Sequence, residues 1–192
     1  MTKRGLVITV SGLAGSGTTT LCKNIAKHYG FKHIYAGLIF RQMAQEMGMT
    51  LNEFQEYAEL HPEVDREVDR RQIEAAKEGN VIIEGRLAGW MVKDADLKIW
   101  LDAPLRVRVE RVARREKKPY DIAFMETVER EKQNRKRYLN LYSIDIDDLS
   151  IYDLVINTSK WKPDGVFAIV KAAIDHLAPE GDSGAGKTKE VE

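Results

Sequence analysis

Residues 6–20 read LVITVSGLAGSGTTT. The segment 6–11 is mostly apolar and β-branched, which predicts a buried strand. Three glycines follow within residues 12–17, and Thr18–Tyr29 then shows the apolar spacing of a helix. Main-chain N–H groups in such a turn, with a helix N-terminus behind it, can enclose an anion. The order of strand, glycine-rich turn and helix therefore predicts a phosphate-binding loop.

The predicted loop differs at one position from the phosphate-loop pattern GxxxxGK[ST]. Gly12, Gly17 and Thr19 match the pattern, but Thr18 stands where the lysine is expected. Main-chain amides hold a phosphate without any side chain, so the turn can keep this role. The missing positive charge must then come from Mg²⁺ and from arginines elsewhere in the chain.

A second segment, residues 181–188, reads GDSGAGKT and matches the same pattern at every fixed position. It has no strand before it and no helix after it, and only four residues follow it. The composition from Pro179 onward is rich in Gly, Glu and Lys, which is typical of disorder. We therefore assign phosphate binding to the first match and expect a disordered tail over residues 179–192.

Short apolar segments alternate with helical segments along the chain. Strands are predicted at residues 6–11, 33–36, 81–84, 98–101 and 154–157. Helices are predicted at residues 18–29, 37–48, 104–117, 121–142 and 164–177, and two more are expected to begin near Thr50 and Pro62. This alternation predicts the α/β class, with a five-stranded parallel sheet in a three-layer α/β/α arrangement.

The composition excludes several classes of protein. The formal net charge is zero, because 30 Lys and Arg residues balance 30 Asp and Glu residues, so a nucleic-acid partner is not expected. The single cysteine, Cys22, excludes an internal disulfide and a zinc site built from several cysteines. No segment reaches the roughly 20 apolar residues of a membrane span. We expect a cytoplasmic monomer that binds no membrane.

We expect the phosphates of a nucleotide donor to contact the loop and the first helical turn, at Gly12, Gly15, Ser16, Gly17, Thr18, Thr19 and Thr20. Thr18, at the lysine position, is counted among the catalytic residues. Thr19 occupies the position whose hydroxyl ligates Mg²⁺. Glu84, which ends an apolar strand, is expected to orient a Mg²⁺-bound water; the alternative is an ion-paired structural carboxylate.

Two arginines follow predicted strands. Arg41 lies four residues after Gly37, at the exit of the second strand, and Arg86 follows the third strand. The carboxyl ends of parallel strands meet at one edge of a sheet, so both arginines are expected beside the phosphate loop. Two guanidinium groups can bind a phosphate group through paired hydrogen bonds. We therefore expect Arg41, Arg86 and Gly37 to bind a phosphorylated acceptor.

The segment 104–142 is dense in arginine and lysine, although the protein as a whole is neutral. Arg130, Asn134 and Arg137 are spaced so that they share one helix face. Mobile arginines stabilise the charge that develops during phosphoryl transfer and exclude water from it. We therefore expect Arg130 and Arg137 to be catalytic and Asn134 to contact the acceptor. Most of the other charged residues of this segment, which interleave with glutamates, are expected on a solvated surface.

The motifs together resemble the cytidylate kinase family. They are SGLAGSGTTT at 11–20, YAGLIFRQMA at 35–44, IIEGRLAG at 82–89, LKIWLDAP at 97–104 and the RxxxNxxR spacing from Arg130 to Arg137. The resemblance covers residues 6–177 and is greatest to the archaeal type, in which GSGTTT replaces GSGKTT. It implies the P-loop kinase fold and the transfer of a phosphoryl group from ATP to CMP or dCMP with Mg²⁺. It also implies that Arg41 and Arg86 bind the acceptor phosphate and that Arg130 and Arg137 belong to an Arg-rich helical lid.

The family pattern divides the chain into parts. A single domain is expected over residues 1–178, with its core at 1–36, 79–104 and 150–178, acceptor-binding helices at 37–78 and a lid at about 114–137. Leu87 and Asn134 replace aspartates of the bacterial pattern. The charged helix over residues 62–77, which contains Asp65 and Asp69, lies where the acceptor base could be recognised; a solvated helix face is the alternative.

The sequence is compatible with other functions. The chain could be a P-loop kinase for another nucleoside monophosphate or small metabolite, which a panel of acceptors would reveal. It could instead be a nucleotide-dependent switch, although the paired arginines and the lack of an NKxD guanine motif disfavour this. A nucleic-acid-binding module is disfavoured by the neutral charge.

Overall fold

The computed structural model describes residues 5–177, apart from the side chain of Asn52. The predicted tail over residues 179–192, and with it the second phosphate-loop match at 181–188, lies outside the described residues. Within the described part, none of the helices is long and apolar enough to cross a membrane.

Five strands and eight α-helices are found within residues 5–177. The strands are β1 (Val7–Gly12), β2 (Lys32–Tyr35), β3 (Val81–Glu84), β4 (Leu97–Asp102) and β5 (Leu154–Asn157). The helices are α1 (Thr18–Tyr29), α2 (Ala36–Glu46), α3 (Leu51–Leu60), α4 (Pro62–Glu78), α5 (Ala88–Met91), α6 (Leu105–Glu116), α7 (Tyr120–Tyr142) and α8 (Pro163–Asp175). A 3₁₀ turn, Thr158–Lys160, follows β5. The sequence predicted these elements to within a few residues, except for the short helix α5 and the 3₁₀ turn.

Local sequence signals set several of the helix ends. The side chains of Thr50 and Glu53 exchange hydrogen bonds with each other's main-chain N–H groups, which is the expected capping box at the start of α3. Pro62 occupies the first turn of α4, where its missing N–H has no intrahelical partner to lose. Gly30 ends α1 with φ of 72°, a left-handed conformation that glycine adopts without strain.

The sheet confirms the predicted α/β class. Its strand order is β2-β3-β1-β4-β5, and every neighbouring pair is parallel. The strand β1 is central, and all of its residues are buried. A strand buried on both faces needs apolar side chains in both directions, which explains its continuous apolar sequence. The carboxyl ends of all five strands meet at one edge, and the phosphate loop leaves from the middle of that edge.

Helices cover both faces of the sheet, as the predicted three-layer arrangement requires. On one face, α1 and α8 pack onto a core that includes Ile8, Ile25, Ile99 and Val170. On the other face, α4 and α5 pack onto Val7 and its neighbours in β3. A smaller cluster around Phe54 joins α2, α3 and α4. The three helices that follow β2 therefore pack against one another beside the open edge of the sheet.

The phosphate loop depends on glycine at one position because α6 lies directly behind it. Gly15 has φ of +82°, and a Cβ atom there would lie 2.3 Å from the carbonyl oxygen of Arg108. Such a contact with main-chain atoms cannot be relieved by a side-chain rotation. Glycine at this position therefore allows α6 to support the loop.

We expect Gly15→Ala to lower the free energy of unfolding by about 2 kcal/mol or more, since the strain of a positive φ adds to the clash with α6. Gly48→Ala is the matched control. Its φ is +66°, but a Cβ atom there would meet nothing within 4 Å. This control should lose only about 1 kcal/mol. Denaturant-induced unfolding of the two variants measures both values, and equal losses would contradict the close packing of α6 on the loop.

Candidate active site

Two adjoining clefts open at the carboxyl edge of the sheet. The α4 cleft lies between the phosphate loop, α2, α4 and α7, and the α8 cleft lies between the phosphate loop, α6 and the start of α8. Thr18, Thr19 and Arg41 line both clefts, so the two meet at the start of α1. Every site residue predicted from the sequence lines at least one of them. The predicted residues are thus brought together, although the chain separates them by up to 125 positions, from Gly12 to Arg137.

The carboxylate of Glu84 joins the end of β3 to the start of α1. Its Oε1 accepts hydrogen bonds from the hydroxyl groups of Thr18 (2.8 Å) and Thr19 (2.6 Å). Its Oε2 accepts a hydrogen bond from Nε2 of His33 (2.9 Å). Glu84 is only 2% exposed, so these three donors replace the water that a buried carboxylate loses. The side chain that stands in the lysine position is thus fixed by β3.

The phosphate loop offers free main-chain N–H groups at the start of α1. Gly17 caps the helix with a left-handed conformation and no side-chain hydrogen bond, so the first-turn amides have no capping acceptor. Within the loop itself, the N–H of Ser16 donates to the carbonyl of Leu13 (3.1 Å). The Ser16 side chain is fully buried, so this residue shapes the turn.

Two arginines of α6 hold the loop from behind. Arg108 pairs with Glu131 of α7 and donates to the carbonyl groups of Ala103 and Ala14. Arg111 donates to the carbonyl of Gly15 (3.1 Å) and to Oγ1 of Thr158 (2.9 Å). The sequence favoured a solvated surface for most charged residues of the segment 104–142. That interpretation is wrong for Arg108 and Arg111, because their partners are main-chain atoms and two residues distant in the sequence, Glu131 and Thr158, which periodicity cannot reveal.

Arg130 of α7 contributes an unpaired donor to the α4 cleft. Its Nε is buried and has no hydrogen-bond partner within the described residues. Burial lowers the pKa of this guanidinium, and the charges of Arg86 and Arg115 lower it further, against the opposing charge of Glu116. None of the ion pairs found within residues 5–177 includes Arg41, Arg86 or Arg130. A cleft that gathers these cations without an acidic partner is suited to an anion.

Arg137 has acidic and amide partners in the same cleft. Its Nε lies 2.8 Å from Oδ2 of Asp65 in an ion pair, and both side chains are 10% exposed. Its Nη2 donates to Oδ1 of Asn134 (3.2 Å), whose Nδ2 donates to the carbonyl of Arg130 (2.6 Å). Asn134, which was expected to contact the acceptor, lines the cleft and orients Arg137.

A second carboxylate of α4 lies beside Asp65. Asp69 accepts a hydrogen bond from the hydroxyl group of Tyr142 and another from Nε2 of Gln72 (3.2 Å). Burial raises the pKa of Asp69 to about 6; the nearby charge of Asp65 also raises it, whereas the hydrogen bond from Tyr142 opposes the shift. Asp65 and Asp69 face the cleft, whereas Arg66 of the same helix is exposed. The alternative of a solvated face is therefore wrong for these two carboxylates.

Trp161 is a residue of the α8 cleft that the sequence analysis missed. It lines that cleft together with Pro163 and Val166, and it is 52% exposed. A lone tryptophan after a short strand carries no motif, so only its position beside the loop distinguishes it. A flat, exposed aromatic face of this kind can pack against a nucleotide base.

Cys22, His33 and Glu84 each present one possible metal-ligand atom, and these atoms lie within 4.8 Å of one another. Burial raises the pKa of the Cys22 thiol, and the charge of Glu84 raises it further, so the thiolate that binds metals is disfavoured. Nε2 of His33 already donates a hydrogen bond to Glu84. We therefore assign Cys22 and His33 to the support of the loop.

Comparison with known proteins identifies close relatives of the chain. Residues 7–160 match the model of the cytidylate kinase-like family. A cytidylate kinase of Pyrococcus furiosus is 80% identical over 191 residues, which cover 100% of this chain and 100% of that protein. A cytidylate kinase of Methanocaldococcus jannaschii is 56% identical over 176 residues, which cover 90% of this chain and 99% of that protein.

Solved structures with little sequence identity share the fold. An uncharacterized protein from Eubacterium ventriosum aligns with a TM-score of 0.67 at 20% identity, covering 89% of this chain and 99% of that one. Shikimate kinase from Bacteroides thetaiotaomicron aligns with a TM-score of 0.59 at 16% identity, covering 88% and 98%. These alignments support the predicted P-loop kinase fold.

The buried carboxylate of Asp69 predicts a pH-dependent stability. Its pKa is 3.8 in an ordinary environment and about 6 in the folded protein, so the native state keeps the proton that the unfolded chain has released. The free energy of unfolding therefore falls as the pH rises through this interval, by at most about 3 kcal/mol. Asp69→Asn removes this titration. We expect the free energy of unfolding of the wild type to fall relative to that of Asp69→Asn between pH 4 and pH 7. Denaturant-induced unfolding of both proteins at each pH measures this difference. A constant difference would contradict the burial of the charge.

Proposed function

The chain belongs to the cytidylate kinase-like family, and we propose that it transfers the terminal phosphoryl group of ATP to CMP and dCMP with the help of Mg²⁺. The observation that carries the proposal is the group of arginines in the α4 cleft that have no acidic partner within residues 5–177: Arg41, Arg86 and Arg130. Cations that face one another repel, so their arrangement favours a bound anion between them. The phosphate group of a nucleoside monophosphate is such an anion.

The donor occupies the α8 cleft in this proposal. Its phosphates bind the free amides at the start of α1, where the helix dipole also favours negative charge. Trp161 offers an apolar ring to the donor base at the other end of the cleft. The two clefts meet at Thr18 and Thr19, so the donor's terminal phosphate and the acceptor phosphate approach each other there.

The residues at this junction fit Mg²⁺. The ion prefers oxygen ligands, and the hydroxyl group of Thr19 and the carboxylate of Glu84 supply oxygens 2.6 Å apart beside the phosphate loop. When bound, Mg²⁺ neutralises charge on the phosphates and stabilises the charge that develops during transfer. Thr19 would hold the ion directly and Glu84 through a water molecule. Both side chains are already ordered by the network that includes Thr18 and His33.

The chain replaces the missing lysine with charges from other elements. The threonine at position 18 carries no charge, and its hydroxyl group is committed to Glu84. The cations that line both clefts are Arg41 and Arg115, and Arg86 and Arg130 line the α4 cleft. Arg130 and Arg137 act from the lid, which we place at about residues 114–137, and stabilise the transferred group. We expect a monomer to suffice, because the described chain itself lines both clefts.

We expect Arg86→Ala to lower kcat/KM for CMP by about 100- to 1000-fold, because a donor to the acceptor phosphate is lost. The protein should stay folded, since no ion pair within residues 5–177 includes Arg86. Arg106→Ala is the matched control, because the Arg106 side chain is 80% exposed and its one ion pair within residues 5–177 is with Glu110, at 3.4 Å. Steady-state assays of ADP release with CMP, dCMP, UMP, AMP and dTMP test the role. Unchanged turnover of CMP by Arg86→Ala would refute it.

We expect Glu84→Gln to raise the Mg²⁺ concentration for half-maximal activity by about 10- to 100-fold. The carboxylate that would orient a Mg²⁺-bound water loses its charge in this variant. The amide keeps the size of the side chain and can still accept from Thr18 and Thr19. Glu110→Gln, on the exposed face of α6, is the control. A thermal-shift titration with Mg²⁺ and ADP gives a second measurement that does not need turnover. If both titrations match those of the wild type, Glu84 supports the loop and has no role in binding Mg²⁺.

A further inference from the structure

One face of α4 forms a wall of the α4 cleft. Asp65, Asp69 and Gln72 are spaced by four and three residues, which places them in a row along the helix, and Val68 lies one turn from Asp65 and Gln72 on the same face. All four are buried and line the cleft. The opposite face of α4 carries exposed charges that include Arg70. The buried row is polar, so it needs hydrogen-bond partners that the protein alone does not fully supply.

The amide of Gln72 leaves one acceptor without a partner. Its Nε2 donates to the carbonyl of Val68 (3.4 Å) and to Oδ1 of Asp69 (3.2 Å), so its donors are used. Its Oε1 is buried and has no hydrogen-bond partner within the described residues. The residue is 2% exposed. A buried carbonyl oxygen left in this state costs free energy until a donor reaches it.

The carboxylates of Asp65 and Asp69, when ionised, can only accept hydrogen bonds. Asp69 accepts from Tyr142 and Gln72, and each carboxylate oxygen can accept a further hydrogen bond. Asp65 faces the guanidinium of Arg137. The pKa of Asp69 is raised to about 6, chiefly by burial, so this group is ionised and purely accepting above that pH. The side chains of α4 therefore present acceptors to the cleft and no spare donor.

We propose that Asp69 and Gln72 recognise the base of the acceptor nucleotide by accepting hydrogen bonds from the exocyclic amino group of cytosine. This inference rests on the proposed function and specifies its acceptor. Cytosine carries an amino group at the position where uracil carries a carbonyl oxygen. Against this wall the amino group supplies the missing donor, whereas the carbonyl places acceptor against acceptor. The wall thus selects cytosine over uracil.

The charges of the cleft orient the nucleotide. The phosphate group is drawn to Arg86 and Arg130, and the carboxylates of α4 repel it. The base, at the other end of the nucleotide, is thereby left to face α4. Phe40 and Val68 also line the cleft and offer apolar surface to a flat ring. Gly85 leaves the space beside Gln72 open, since a Cβ atom there would lie 3.0 Å from Oε1.

The test compares CMP with UMP in an Asp69→Asn variant. The amide of asparagine supplies a donor that can pair with the carbonyl of uracil. We expect the ratio of kcat/KM for UMP to that for CMP to rise by about 10- to 100-fold, as the exchange of a hydrogen bond to a charged group implies. Glu74→Gln is the matched control, because it makes the same chemical change on the exposed face of α4, where Glu74 pairs with Lys77. Its ratio should equal that of the wild type.

A second variant and two probes separate base recognition from other roles. Gln72→Met keeps the length of the side chain and removes its oxygen, so it should weaken binding of CMP and spare UMP. The nucleotide of 2-pyrimidinone lacks the amino group. It should bind the wild type more weakly than CMP does, and it should bind Asp69→Asn about as well as CMP binds that variant. Ribose 5-phosphate, which lacks the base, should bind all variants equally, as measured by inhibition.

The outcomes distinguish this inference from the proposed function. If the wild type does not phosphorylate CMP, the proposed function fails and the base assignment fails with it. If CMP is the preferred acceptor but neither variant changes the ratio of UMP to CMP, only the assignment to Asp69 and Gln72 is overturned. The assignment would also be overturned if the variants bound CMP, UMP and ribose 5-phosphate more weakly by the same factor, because these side chains would then contact the ribose or stabilise the fold.

Discussion

The hydrogen bonds of Glu84 are the contacts on which the site depends. They fix the hydroxyl groups of Thr18 and Thr19 to the end of β3, and so fix the start of α1 against the strand beside it. The amides of the first helical turn can then point to a constant position at the edge of the sheet. The arginines of α6 complete this support from the opposite side, through the carbonyl groups of the loop. The loop is thus held by side chains that do not themselves need to contact phosphate.

The arginines of the protein divide into two groups by their partners. Arg108 and Arg137 pair with the buried carboxylates of Glu131 and Asp65, so their charges are balanced within the chain. Arg41, Arg86 and Arg130 have no such partner within residues 5–177, and the buried Nε of Arg130 remains unsatisfied. Burying an unbalanced charge is costly unless a ligand neutralises it, and this cost applies to the guanidinium of Arg130, whereas Arg41 is exposed. The three positive charges of this group favour a bound anion, which the proposed acceptor phosphate would supply.

The sequence predicted those features of the fold and the site that short local motifs determine. The turn from β1 into α1, the capping of α3 and the arginines at the exits of β2 and β3 follow from short motifs. Contacts between distant elements were not predictable in the same way. The arginine-rich segment around Arg108 and Arg111 indicated a solvated surface, yet these two arginines bond the loop because α6 packs on Gly15. Trp161 could be recognised as a residue of the α8 cleft only from the fold, in which the end of β5 lies beside the loop.

Main-chain amides between β1 and α1 are proposed to hold the donor phosphates although threonine replaces the lysine. A crystal structure of the protein with ADP, Mg²⁺ and CMP is the decisive measurement. We expect the β-phosphate of ADP within hydrogen-bond distance of the N–H groups of Thr18 and Thr19, and the phosphate of CMP between Arg86 and Arg130. A structure in which the turn is closed and ADP binds elsewhere would refute this role of the loop.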